Sequence, residues 1–124
     1  MIKTKLIYFL FSLLFFISGH AQLATNITKG TASFYAKKFE GRKCSSGEVF
    51  RQDGLTAAHK TLAFGTLVKV TNLANDSVVI VKINDRLPKK SKRIIDLSRR
   101  AALQLNFIPQ GLAKVRLEVL EEEN

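Results

Sequence analysis

Cysteine occurs once in the 124 residues, as Cys44, so neither an intrachain disulfide nor a thiolate metal cluster can form. Histidine is almost as scarce, with only His20 and His59. His20 falls in the apolar N-terminal segment, so a zinc site would have to be built from His59 and carboxylates alone, and no metal is expected. Acids are half as common as bases, 10 against 20, which leaves a formal charge of +10. No low-complexity linker or repeat divides the chain, and no cofactor motif is found. After the opening segment no apolar run approaches the roughly 20 residues of a membrane-spanning helix.

What is present begins with MIKTKLIYFLFSLLFFISGHAQ. Lys3 and Lys5 precede an apolar stretch from Leu6 to Ile17, and Gly19 and Ala21 follow at the spacing of a secretory cleavage site. Residues 1–21 are therefore expected to be a cleavable signal peptide, with cleavage after Ala21. A retained N-terminal anchor is the competing reading, opposed by the short segment and the lack of a charge cluster on its C-terminal flank. No cysteine lies near the cleavage site to carry a lipid, so a soluble periplasmic or secreted product without a stable membrane span is expected. About 103 residues remain, enough for one domain. They carry a formal charge of +8, since Lys3 and Lys5 leave with the leader. Outside the cytosol that charge points to an anionic wall or envelope surface and away from nucleic acid. The plain alternative is a basic surface that only keeps the protein soluble.

The body reads as mainly β. Thr31 to Tyr35 is a short β-prone run, followed by a Gly- and Lys-rich loop through Gly47. Leu55 to Ala58 reads as a strand. Leu67 to Asn72 alternates, with Val68 and Val70 on one side and Leu67, Lys69 and Thr71 on the other. Ser77 to Ile83 is β-branched and long enough to pair with it as a hairpin across the turn residues Leu73 to Asp76. Ile94 to Leu97 reads as a further strand. Ser98 is placed to cap a helix through Leu105, packed by Ala101, Ala102 and Leu105 and ended by Asn106 and Pro109. Ala113 to Leu120 alternates with Val115, Leu117 and Val119 inward. Several short strands, one helix and long loops predict a closed or nearly closed small barrel. Residues 22–29 are expected to be a linker, 30–120 the barrel domain and 121–124 a frayed tail.

Three residues stand out chemically. Glu48 follows Gly47 in a loop, Asp85 follows an apolar strand between Asn84 and Arg86, and His59 follows a short strand. Each has an ordinary reading: a solvated glutamate, a salt bridge or turn cap, and a structural imidazole. Together they supply what glycosidic cleavage needs, a carboxyl to protonate the leaving oxygen and a partner for the developing oxocarbenium ion. Asp96 precedes the helix, where it would fix the helix start by accepting backbone N–H bonds. Tyr35, Phe34 and Phe64 would serve either core packing or a sugar groove. Lys89, Lys90, Lys92, Arg93, Arg99 and Arg100 form a basic cluster suited to anionic envelope polymers or to plain solvation.

Five blocks carry a family resemblance: GTASFY at 30–35, GRKCSSGEVF at 41–50, LTAAHKTLAFGTLVKVTNL at 55–73, INDR at 83–86 and IIDLSRRAALQL at 94–105. In this order and spacing the chain resembles the rare lipoprotein A (RlpA)-like family of double-psi β-barrel proteins. The resemblance implies a six-stranded double-psi barrel. In active members it implies a lytic transglycosylase acting on peptidoglycan glycan strands, cutting between N-acetylmuramic acid and N-acetylglucosamine and leaving a 1,6-anhydro end. The muramic C6 hydroxyl is then the nucleophile, so one carboxyl can give a proton to the leaving group and later take one. The family's glutamate, histidine and aspartate fall on Glu48, His59 and Asp85. Glu48 and Asp85 are expected to be the acid/base pair, with His59 orienting or stabilising charge. Tyr35, Arg86 and Asp96 are the candidate substrate contacts. A monomer is expected. Two departures stand out: Cys44 stands where threonine is common, and Arg86-Leu87-Pro88-Lys89 stands where arginine is followed by glycine, proline and an aromatic, which alters the rim next to Asp85. A non-catalytic peptidoglycan-binding or wall-loosening barrel is the alternative at this point.

Overall fold

The computed structural model describes residues 26–120, so the expected signal peptide and the tail at 121–124 lie outside the described residues. Six strands close into a barrel: β1 (Ile27–Phe34), β2 (Thr56–His59), β3 (Leu67–Asn72), β4 (Val78–Arg86), β5 (Ile95–Leu97) and β6 (Ala113–Val119). Their order around the barrel is β1-β5-β2-β4-β3-β6, with β1–β5 and β2–β4 parallel and the other pairs antiparallel. One short helix, α1 (Arg99–Gln104), follows β5. A 3-10 turn at Lys37–Phe39 follows β1.

The alternating residues line the interior as their period requires. Val68 and Val70 of β3, Val79, Val81 and Ile83 of β4, and Val115 and Leu117 of β6 are all buried. Ala101, Ala102, Leu105 and Phe107 close one end. Val119, expected inward, is only half-buried, since it lies at the open end of β6. Thr71, expected outward, is buried with Asn72. There β3 runs beneath the end of α1, and Asn72 Nδ2 donates to the Leu105 carbonyl at 2.7 Å. Ser98 caps α1 as expected: its Oγ accepts from Ala101 N–H at 3.3 Å and donates to the Gly54 carbonyl at 2.6 Å.

Two strand ends depart from the sequence expectation. β1 starts at Ile27, because Ile27 to Lys29 pair with Arg116 to Glu118 of β6. β4 continues through Asn84 and Asp85 to Arg86, so Asp85 lies within a strand. Its pairing with β2 steps from Ala57↔Ile83 to Ala58↔Asp85, a β-bulge that skips Asn84. The bulge aligns one row across the sheet: Ser33 on β1 is level with Asp96 on β5, Asp96 with Ala58 on β2, and Ala58 with Asp85 on β4.

Candidate active site

That row borders a cavity of about 560 Å³, which Tyr35, Cys44, Ala58, Asp85, Arg86 and Asp96 help to line. Its floor is a second buried cluster in which Tyr35 stacks on Phe50 at 4.1 Å, beside Cys44, Ala58 and Leu87. Leu87, one of the departures from the family pattern, is 5% exposed and acts as floor, not rim. Arg42, Lys43, Arg86 and Arg93 also line the cavity, so four cations share it with the two carboxylates.

Asp85 is held at both oxygens. Tyr35 donates its hydroxyl to Oδ2 at 2.5 Å, and the Ser45 N–H donates to Oδ1 at 2.8 Å. Burial pushes this carboxyl up, but the bonds from Tyr35, Ser45 and the Arg86 backbone outweigh it, leaving Asp85 below the usual carboxylate range. Tyr35 shifts the other way, because burial and then the neighbouring Asp85 charge disfavour a phenolate. The Ser45 contact depends on the bulge: the 44–48 loop is tied to it where Ser46 N–H donates to the Asn84 carbonyl at 3.2 Å.

Asp96 sits across Ala58. Ser33 donates its hydroxyl to Asp96 Oδ1 at 2.9 Å and accepts from Arg93 Nη1 at 2.9 Å. Burial holds Asp96 above the ordinary range, against the Ser33 bond and the Arg93 charge and with help from Asp85. The sequence expectation that Asp96 fixes the helix start is not met, since Ser98 fills that role and the Asp96 carboxylate turns to Ser33. Ser33 and Arg93 lie 60 residues apart, so nothing local in the sequence marks them as a pair. Only the parallel β1–β5 pairing brings them together.

Glu48 and His59 do not line the cavity. The Glu48 carboxylate, 48% exposed, accepts from Lys82 Nζ at 3.1 Å on the outer face of β4. His59 Nδ1 accepts the N–H groups of Thr61 at 3.1 Å and Leu62 at 3.0 Å, which fixes the proton of the neutral ring on Nε2. Burial, then Arg86 and Lys60, hold His59 below its ordinary value. The turn anchored in this way presents the Leu62 carbonyl to Arg86 Nη1 at 2.7 Å. Phe64, which is exposed, stacks over the Arg86 guanidinium with the carbon 4.1 Å from the ring centre. The Cys44 thiol is pushed up to about 11 by burial and then by Asp85 and Glu48, so it is not a thiolate at neutral pH. Among the described residues no group of three or more His, Cys, Asp or Glu is placed to hold a metal ion. No described helix is long and apolar enough to cross a membrane.

Residues 27–117 match the family described as lytic transglycolase. The endolytic peptidoglycan transglycosylase RlpA of Campylobacter jejuni is 54% identical over 91 residues, which cover 73% of this chain and 33% of that protein. RlpA of Pasteurella multocida is 52% identical over 92 residues, 74% of this chain and 31% of that protein. The chain thus spans about a third of the length of these relatives. The Streptomyces papain inhibitor superposes with a TM-score of 0.64 at 17% identity, over 78% of this chain and 96% of the inhibitor, a likeness of fold alone. With its closed six-stranded barrel and a family match that takes in both Asp85 and Asp96, the chain belongs to the RlpA family of lytic-transglycosylase-type double-psi β-barrels.

Proposed function

We propose that this barrel is an exported lytic transglycosylase that cleaves the bond between N-acetylmuramic acid and N-acetylglucosamine in peptidoglycan strands, leaving 1,6-anhydro ends. The observation that carries this is Asp85, a carboxylate clamped by Tyr35 and Ser45 on a cavity also lined by Arg42, Lys43, Arg86 and Arg93. A held anion there faces the positive charge that develops at the anomeric carbon. Arg86, fixed by the His59–Leu62 turn, and the exposed Phe64 above it offer a donor and an apolar face to a sugar ring. In this arrangement His59 positions Arg86, and Glu48 meets substrate at the outer rim through the 44–48 loop. Lys89, Lys90 and Lys92, all exposed beside the cleft, serve anionic envelope polymers.

The test is incubation of the purified mature protein with glycan strands stripped of stem peptides, followed by mass analysis of the ends. Anhydro-ended fragments, each lighter by one water than a hydrolysis product, are expected, and they should vanish with Asp85→Asn. Retention on sacculi without any such product would instead establish a non-catalytic wall-binding barrel.

A further inference from the structure

We propose that Asp96 is the proton donor of the cleavage and that Asp85 receives the proton of the attacking hydroxyl; this rests on the glycan-cleaving reading above. The row across the sheet carries it. Asp96 and Asp85 flank Ala58 on neighbouring strands, so their backbones stand two strand spacings apart, about 10 Å. All three residues line one cavity, and the side chain between the carboxyls is a single methyl. A glycosidic bond lying in that cavity has a carboxyl residue on either side of Ala58 to serve it. Glu48 lies outside the cavity on Lys82 and Asp96 lies inside it. Ser33 holds one Asp96 oxygen, and Oδ2 has no hydrogen-bond partner among the described residues.

The environments of the two carboxyls separate their tasks. Burial favours the protonated form of Asp96, whereas the Tyr35 and Ser45 bonds favour the ionised form of Asp85. Carboxyls held apart in this way take the acid and base roles. The ionisable groups around Asp96 are Arg93, from the segment between β4 and β5, Asp85 from β4 and Tyr35 after β1. In the reaction the anomeric C1–O bond breaks and its electron pair goes to the leaving oxygen, which takes the Asp96 proton. The muramic C6 oxygen bonds to C1 and its proton passes to Asp85. No water is consumed. The site resets when the proton moves from Asp85 back to Asp96 through solvent.

A leaving group that needs no protonation separates the two roles. Asp96→Asn should lose on the order of 100-fold or more in kcat on glycan strands. On a dinitrophenyl glycoside of a muramic-acid-terminated saccharide it should stay within about tenfold of wild type, whereas Asp85→Asn should fail on both substrates. Full activity of Asp96→Asn on strands, equal loss on both substrates, or the selective pattern in Glu48→Gln instead would each overturn the assignment. A carboxyl-carbon NMR titration of the wild-type protein needs neither a variant nor turnover: Asp96 should titrate above, and Asp85 below, the ordinary value of about 3.9. The reverse order would overturn the proposal. Wild-type protein that cleaves neither substrate would instead remove the glycan-cleaving reading itself.

Discussion

Tyr35 is 8% exposed, and its hydroxyl has one acceptor, the Asp85 carboxylate. Removing it with Tyr35→Phe leaves the stacking on Phe50 but takes a charged-acceptor bond from Asp85, a loss of about 1.5–3 kcal/mol in urea unfolding at neutral pH. The sign with pH follows from the depressed Asp85 value. The stabilisation is present above the unfolded carboxyl value of about 3.9 and is lost as pH falls through the folded one. The gap between wild type and Tyr35→Phe should therefore close in acid, and a constant gap down to the acid transition would deny the bond its role. His59 titrates in a higher window. With its folded value depressed, it stabilises above about pH 6.5 and loses that contribution as pH falls through the folded value. His59→Ala should cost about 1–2 kcal/mol at pH 7.5, for two lost N–H acceptor bonds. It should also flatten the decline in stability just below pH 6.5. Neither partner set was legible in the sequence. Residue type marked His59, Asp85 and Tyr35 as capable of chemistry. That His59 faces its own turn and Tyr35 faces Asp85, 50 residues away, is decided by tertiary pairing.

Elements built from neighbours in sequence were legible in advance. The β3–β4 hairpin and the Ser98 cap of α1 rest on contacts within a few residues, where alternation and capping chemistry act directly. The parallel β1–β5 and β2–β4 pairings leave no such mark, and neither does the bulge at Asn84. These are the features that assemble the site. Ala58 tests the bulge at the scale of the element. It is 2% exposed, between Asp96 and Asp85, so Ala58→Val puts two methyl groups into the gap between the carboxyls. The expected cost in stability is about 1–3 kcal/mol, as for other overpacked sites. Activity should fall far more than stability, with kcat lost in protein that still unfolds cooperatively. Unchanged cleavage by a folded Ala58→Val protein would show that substrate does not enter that gap. By contrast, Ser98→Ala should cost about 1–2 kcal/mol for the lost cap and leave kcat of the folded protein alone.

Over the whole molecule, charge imbalance was the plainest signal in the sequence, and the structure divides it into two populations. Arg93 is half-buried and drawn inward to Ser33 and Ser91, so it serves an internal contact, whereas Arg100 donates to the Asp53 carbonyl and stays exposed. Lys89, Lys90 and Lys92 are exposed beside the cleft. Composition could not make this division, because it counts charges without saying which already have a partner. Exposed cations act on an anionic polymer over about 10 Å at 0.1 M salt and only about 3 Å at 1 M. Retention of the protein on sacculi should therefore fall steeply across that range, and replacing Lys89, Lys90 and Lys92 together by Gln should make the fall shallower. Arg93 is less exposed to salt, and the cavity it lines still offers hydrogen bonds to a glycan, so weak binding should persist at about 1 M. Binding whose salt dependence is the same in the triple variant and the wild type would mean that the three lysines only solvate the surface, and would leave the cavity cations Arg42 and Lys43 as the source of the attraction.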